Sequence, residues 1–164
     1  MTTRITAGAF LVCGDKVLLM KRGLHKKLAP GFWAGIGGHL EKNDIKDPRA
    51  IDMIETCYRE VWEEANIART DIKNMQLRYI VVSKFENQRS WHHHYFGELE
   101  NEITLPKCDE GEFHWVDKNE IIDLPMTPTV KEAIKHWLAH PDENKVFLIV
   151  RNVTQEKITI LDLD

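Results

Sequence analysis

Three glutamates near the middle of the chain could bind a divalent cation. Glu60, Glu63 and Glu64 lie in the run Arg59-Glu60-Val61-Trp62-Glu63-Glu64. Residues three and four positions apart are neighbours on a helix, so these carboxylates would fall within one sector of roughly 100°. Like charges at this spacing destabilise an isolated helix, and the negative end of the helix dipole adds to the repulsion. A hard cation such as Mg2+ would turn this repulsion into a net attraction, because it binds carboxylate oxygens. It also keeps waters that a phosphate can share.

The helix that carries these acids is predicted to run from about Pro48 to Ala65. Asp47 is a suitable N-cap and Pro48 suits the first turn, while Asn66 can adopt the left-handed conformation that ends a helix. A separate apolar stripe has the spacing of a core-facing side. It consists of Ile51, Ile54, Tyr58, Val61 and Ala65. The acids are therefore expected to point away from the core.

The elements around this helix predict a mixed α+β fold. An N-terminal hairpin is expected from Arg4–Cys13 and Lys16–Arg22, joined by a Gly14-Asp15 turn. Further strands are expected at 33–38, 77–84, 90–98 and 111–116, a helical turn at 118–122, a second helix at 129–139, and a C-terminal hairpin over 145–163. Because strands and helices do not alternate regularly, a three-layer mixed sandwich is favoured over a doubly wound sheet.

Length and composition predict one domain over residues 1–164 and a small-molecule ligand. The 164 residues fit a single domain. A net charge of -4 argues against a nucleic-acid polymer as partner, which needs a clustered basic surface, but not against a small phosphorylated ligand. No apolar run approaches a membrane span. That lack of a span argues against a membrane partner. The three cysteines are far apart, which favours reduced thiols in a cytoplasmic protein.

A glycine-rich stretch lies upstream of the acidic helix. Gly35-Ile36-Gly37-Gly38 is followed by Glu41 and then by the helix. Together these residues resemble the Nudix hydrolases, whose box is G-x5-E-x7-R-E-U-x-E-E-x-G-U with U aliphatic. Gly38 would open the box, Arg59-Glu60-Val61 matches R-E-U and Glu63-Glu64 matches E-E. The resemblance covers about residues 3–140, implies an α/β/α sandwich, and leaves the hairpin at 145–163 as an extension that could cap a sheet edge or build a homodimer interface.

Two positions depart from the box. Gly38 and Arg59 are 21 positions apart, where the box has 14, so seven residues are inserted in the loop before the helix. Asp44 stands at the first box glutamate when counted from Gly38, and Ile51 stands there when counted back from Arg59. Asn66 replaces the box glycine, which its ability to take a left-handed conformation explains.

The resemblance implies hydrolysis of a nucleoside diphosphate linked to a group X, with Mg2+ or Mn2+. The implied metal ligands are Glu60, Glu64, Glu63 and the backbone carbonyl of Gly37. The implied base for the attacking water is Glu63 or Glu112, with Glu110 in reserve. Arg59 either orients a box glutamate or pairs with Glu55 or Glu63.

The residues expected to bind the substrate lie at the end of the second predicted strand and in the glycine-rich stretch that follows it. The implied substrate-binding residues are Lys21, Arg22, Trp33 and Gly38, with Trp33 placed to stack on a base. Ala34 stands where the oxidised-purine triphosphatases have an asparagine. The leading hypothesis is a MutT-type enzyme that converts a nucleoside triphosphate, such as 8-oxo-dGTP, to a monophosphate and pyrophosphate. The alternatives are an ADP-ribose, nucleotide-sugar or dinucleotide pyrophosphatase, and a non-catalytic nucleotide sensor.

Separately, three consecutive histidines lie on the predicted strand 90–98. His92 and His94 would share one face of the strand, with His93 on the other. A zinc site there is the weaker interpretation, because no cysteine or carboxylate stands at ligand spacing.

Overall fold

The computed structural model of the protein describes residues 2–47, 49, 52–85, 87–152 and 156–163. Its strands are β1 (Thr2–Cys13), β2 (Lys16–Arg22), β3 (Trp33–Ala34), β4 (Ile36–His39), β5 (Lys73–Phe85), β6 (Gln88–Glu98), β7 (Gly111–Asp117), β8 (Phe147–Asn152) and β9 (Lys157–Asp162). Its helices are α1 (Met53–Ala65) and α2 (Pro128–Ala139), with short 3-10 turns at 42–44, 69–71 and 121–123. The predicted order of elements is confirmed, and the extended piece at 33–38 is divided into β3 and β4 at Gly35.

The strands form one mixed sheet built around β1. Along the sheet the order is β3-β2-β1-β6-β5-β8-β9, with β4 paired to β1 and β7 paired to β2. Strand β1 runs parallel to β6 and antiparallel to both β2 and β4. One edge of β1 is therefore shared: residues 11–13 pair with β2, whereas residues 6–9 pair with β4. This division brings the glycines of β4 alongside the end of β2.

Each face of the sheet carries its own core. Successive side chains of β1 point to opposite faces, so Phe10 joins the cluster under α2, and Ala9 and Leu11 join the cluster under α1. The α2 side also includes Tyr79, and both faces are filled with aliphatic and aromatic side chains that exclude water. The predicted α+β, three-layer architecture is confirmed.

The C-terminal hairpin lengthens the sheet. Strands β8 and β9 pair antiparallel, and β8 pairs in parallel with β5. Phe147 and Ile149 of β8 are buried in the core under α2. The extension therefore covers the edge of β5, which would otherwise present unpaired backbone groups.

Helix α1 begins later than predicted. Its N-cap is Asp52, whose side chain accepts from the N–H of Ile54. The expected cap, Asp47, instead accepts hydrogen bonds from the backbone and side chain of Arg49. The expected start was therefore wrong, because Asp47 and Asp52 are both suitable N-caps and the helix begins at the second. Pro48 itself lies outside the described residues. The predicted end is confirmed, since Asn66 has a φ of 55° and its N–H donates to the carbonyl of Trp62.

The buried face of α1 also differs from the predicted stripe. Met53, Thr56, Cys57, Val61 and Ala65 are buried, whereas Ile54 and Tyr58 are only half-buried. Ile51 lies outside the described residues.

The helix is rotated about its axis relative to the predicted orientation, so part of its acidic face points inward. The side chain of Glu60 is only 12 % exposed, so the expectation that all three acids point away from the core was wrong. The reason is local, because the strand beside this part of α1 carries glycines in place of side chains.

Candidate active site

Helix α1 packs two carboxylates against the glycine pair of β4. A Cβ on Gly38 would lie 2.2 Å from Oε1 of Glu60, and one on Gly37 would lie 2.1 Å from the carbonyl oxygen of Ala7. Any side chain at these positions would displace Glu60 or open the β1–β4 pairing. The N–H of Gly37 donates a hydrogen bond to Glu64. The glycine pair thus supplies both the space and one donor for the acidic cluster.

Glu64 is held in an environment that opposes its charge. Burial first, and then repulsion from Glu60 and Glu110, raise the pKa of Glu64 to about 8, against smaller lowering effects from Arg22 and Gly37. Its Oε2 atom is buried and has no hydrogen-bond partner. Burial likewise raises the pKa of Glu60, although the neighbouring Arg59 lowers it. Two carboxylates with raised pKa values side by side form a site that a cation would stabilise.

Arg59 and Asp44 anchor the inserted loop to the helix. The guanidinium of Arg59 donates from Nε to Oδ1 of Asp44 at 2.8 Å and from Nη2 to Oδ2 at 3.1 Å. Nη2 also donates to the carbonyl of His39 at 2.8 Å, and Nη1 donates to Oε2 of Glu63 at 2.9 Å. Arg59 therefore pairs with Glu63 and also lies 3.0 Å from Oε1 of Glu60. Glu55, the other expected partner, pairs with Lys46 and Arg69.

Asp44 stands at the position of the first box glutamate when residues are counted from Gly38, and the structure shows what it contacts. It is 6 % exposed, and its Oδ2 accepts from the hydroxyl of Thr56 and the N–H of Glu41. Burial acts to raise the pKa of Asp44, but the hydrogen bonds from Arg59, Glu41 and Thr56 lower it overall. The count from Gly38 pointed to Asp44, so the extra residues lie between Asp44 and Arg59 and leave the anchor in place.

The three remaining carboxylates occupy different surroundings. Glu63 is 54 % exposed and bound to Arg59. Glu110 pairs with Lys26 at 2.5 Å, and its charge acts on Glu64. Glu112 is 80 % exposed and lies 3.6 Å from His114, whose ring contacts Trp33. The structure therefore brings Glu63 and Glu110 to the acidic cluster and places Glu112 with Trp33.

The expected substrate-binding residues lie around a cavity next to the glycine pair. Arg22, Trp33, Gly37 and Gly38 line a cavity of about 210 Å3, together with Ala34. Nε of Arg22 donates to the carbonyl of Leu28, which fixes the guanidinium at the wall of the cavity. Lys21 does not line this cavity but lies 6.0 Å from the centre of the Trp33 ring.

The histidine run faces this cavity with alternate members. His92 and His94 line it, and His93 does not, as the strand period predicts. Burial lowers the pKa of His92 to about 4 and that of His94 to about 3. Among the described residues, no three histidine, cysteine or acidic side chains lie close enough to form a metal-ligand set by themselves. The zinc interpretation therefore has no support.

A divalent cation fits the acidic cluster on the observed chemistry. The close approach of Glu60 to Gly38 places two carboxylates side by side in a largely buried setting. Glu60 is paired with Arg59, whereas Oε2 of Glu64 has no hydrogen-bond partner. Oxygen donors of this kind suit Mg2+ or Mn2+, which keep several ligand positions for water or phosphate.

Known structures share this fold. A MutT protein from Bacillus halodurans is similar with 22 % identity and a TM-score of 0.72, covering 98 % of this chain and 97 % of that one. A C. elegans Ap4A hydrolase has 17 % identity and a TM-score of 0.64, covering 83 % and 96 %. The E. coli dihydroneopterin triphosphate pyrophosphohydrolase has 15 % identity and a TM-score of 0.64, covering 85 % and 99 %.

An acidic helix packed on a glycine strand within an α/β/α sandwich defines a class of hydrolase that cleaves phosphoric anhydrides. The NUDIX domain model matches residues 2–139, and the chain belongs to the Nudix family. The expected family and enzyme class, a Nudix pyrophosphohydrolase, are thereby confirmed, and enzymes of this family generally use divalent cations. In the described part of the chain, neither helix has the length and apolar character needed to cross a membrane.

Proposed function

We propose that the protein hydrolyses a nucleoside triphosphate to a monophosphate and pyrophosphate, with Mg2+ or Mn2+ held by Glu60, Glu64 and the carbonyl of Gly37. The observation that carries the proposal is the pair of half-buried, mutually repelling carboxylates packed on glycine. The bound cation would neutralise the polyphosphate and lower the pKa of a water bound to it. A non-catalytic sensor is less consistent with these residues, because binding alone does not require acids that repel one another.

The chain's own residues divide the remaining work. Arg22 lines the cavity, and its charge lowers the pKa of Glu64, so it is placed to hold a phosphate between the two. The water oxygen bonds to phosphorus as the anhydride P–O bond breaks, and the pyrophosphate leaves. A carboxylate takes the proton of the water, and Glu63 is favoured over Glu112 because Glu112 lies with Trp33. Arg59 holds Glu63 in position through the hydrogen bond described above.

The cavity favours a substrate with one base. Its volume of about 210 Å3 is below the range of roughly 300–1,000 Å3 for whole drug-sized ligands. Its wall includes Phe10, Phe32 and Trp33, which suit a single flat ring. A nucleoside triphosphate therefore fits better than a dinucleotide, whose second base would need another aromatic pocket.

The experiment that tests this function is a hydrolysis assay with product identification. Nucleoside triphosphates, ADP-ribose, a nucleotide sugar and a dinucleotide tetraphosphate are each incubated with the protein and Mg2+ or Mn2+. We expect monophosphate and pyrophosphate from triphosphates, with activity lost on chelation. Glu64→Gln should lower kcat by roughly 1,000-fold, since it removes several kcal/mol of transition-state stabilisation.

The matched control is Glu132→Gln, which makes the same change on α2, where Glu132 pairs with Lys135 on the surface. It should retain full activity. Equal activity of Glu64→Gln and Glu132→Gln would show that the acidic cluster is not the catalytic centre. Exclusive cleavage of ADP-ribose or the dinucleotide would replace the substrate assignment while keeping the site.

A further inference from the structure

The cavity lies on the face of the sheet opposite the carboxylates of α1. Arg4, Thr6 and Phe10 alternate along β1 toward this side, and His92 and His94 of β6 lie beside them. Gly37 and Gly38 border the cavity and also contact the acidic cluster. A nucleotide whose phosphates reach Glu60 and Glu64 would therefore place its base in this cavity, across the glycine pair.

Arg4 brings an uncompensated positive charge to the cavity. Its Nε atom is buried without a hydrogen-bond partner. Burial first, and then repulsion from Arg22, lower the pKa of Arg4. Within the described residues no carboxylate pairs with it. A partly buried guanidinium in this state costs free energy unless something else supplies acceptors.

His94 adds a second unpartnered polar atom at the base of the cavity. The side chain is 8 % exposed, and its Nδ1 has no hydrogen-bond partner. The ring stands edge-on to Phe10 with 5.5 Å between centroids, so its orientation is fixed by packing. His92 differs, because its Nδ1 already lies 2.5 Å from the hydroxyl of Thr6. Arg4 and His94 are thus the groups on this wall that a ligand could satisfy.

We propose that Arg4 and His94 are specificity-determining residues that select a base with a carbonyl edge, so that 6-oxopurine nucleotides bind in preference to adenine nucleotides. This inference rests on the proposed function for the location of the phosphates. A guanidinium can donate to both O6 and N7 of guanine or hypoxanthine. Adenine presents an amino donor in place of O6, which would face the guanidinium without forming a hydrogen bond. Neutral His94 supplies one further polar contact to the ring.

The test measures binding without hydrolysis, so that it does not depend on catalysis. Titration calorimetry with GMP, IMP and AMP, without metal, should give GMP and IMP about 10- to 100-fold tighter binding than AMP, the range for one bidentate contact. Arg4→Met should abolish this preference mainly by weakening GMP and IMP. The matched control is Arg89→Met, because Arg89 lies on β6 in the same part of the sheet but is exposed and outside the cavity.

His94→Phe tests the second residue while keeping the ring against Phe10. It should remain folded and lose part of the preference for GMP. Equal affinity for GMP and AMP in the unchanged protein, or an equal loss for all three ligands in Arg4→Met, would overturn the inference for Arg4. An unchanged preference in His94→Phe would remove His94 from it. Retained GMP preference without metal-dependent hydrolysis of any triphosphate would instead refute the proposed function and leave base selection standing.

Discussion

Two charged clusters lie about one turn apart on α1. They differ in how many of their polar atoms have hydrogen-bond or ionic partners within the chain. Around Arg59, every interaction is supplied internally by Asp44, the carbonyl of His39 and the acids of α1. Around Glu64, burial and repulsion dominate, and Oε2 has no partner. The first cluster is complete as it stands, so it contributes to folding. The second is incomplete, so it is poised for a ligand.

The largest effect on stability is expected from the satisfied cluster. Asp44→Asn keeps the volume of Asp44 but leaves the guanidinium of Arg59 without its buried counter-charge. Removing one partner of a buried ion pair costs about 3–5 kcal/mol, and we expect the lower end because Arg59 keeps the His39 carbonyl and Glu63. Urea unfolding of the metal-free protein measures this loss.

The matched control is Asp47→Asn in the same inserted segment. Asp47 pairs with Arg49 at the surface, where such pairs contribute little. If both variants unfold at the same urea concentration, Asp44 is not an anchor, and the contrast between the two clusters fails.

This anchor also shows what sequence can and cannot predict. The N-terminal hairpin, the helix end at Asn66 and the acidic spacing were predictable, because each is local. The pairing of Arg59 with Asp44 was not, since it depends on where seven extra residues are accommodated in three dimensions. The inward position of Glu60 was missed for a similar reason, because it depends on Gly38 of another element.

The unsatisfied cluster should make the metal-free protein less stable as pH rises. The pKa of Glu64 is about 8 in the fold against an ordinary value of 4.5, so between these values the folded state binds more protons than the unfolded state. The free energy of unfolding therefore falls with pH over that window, with a slope of up to about 1.4 kcal/mol per pH unit.

Histidines act in the opposite direction but over a lower range. His92 and His94 have lowered pKa values against an ordinary value of 6.5, so their contribution rises with pH and is nearly complete only about one pH unit above 6.5. Unfolding measured in EDTA from about pH 7.5 to 8.5 should therefore show the fall due to Glu64, because most of the histidine contribution is already present at about pH 7.5. Glu64→Gln should remove it; the same slope in that variant would assign the effect to another group.

A smaller effect is expected where α1 ends, just beyond both clusters. Asn66 has a φ of 55°, which costs most side chains roughly 1–2 kcal/mol. Asn66→Ala should therefore lower the unfolding free energy by about 1 kcal/mol, whereas Asn66→Gly should be neutral or slightly stabilising. Thermal unfolding of the pair measures it. Both variants should keep the pH slope of Glu64, and loss of that slope would mean that the helix end positions the carboxylate.

The smallest effect is expected from Glu112. The family resemblance implies it as a base, but in the structure it lies beside His114 and not at the acidic cluster. Glu112→Gln should change kcat by less than about twofold, because the carboxylate is exposed beside His114 and not at the acidic cluster.

Glu63→Gln should lower kcat by roughly 100-fold if Glu63 takes the proton from water. Glu110→Gln should instead lower the pKa of Glu64, because it removes a repelling charge. Comparing the pH profiles of kcat distinguishes these two. A loss in Glu112→Gln as large as that in Glu63→Gln would mean that the strand carrying Glu112 moves toward the phosphates on binding, and the division between satisfied and incomplete clusters would then have to include β7.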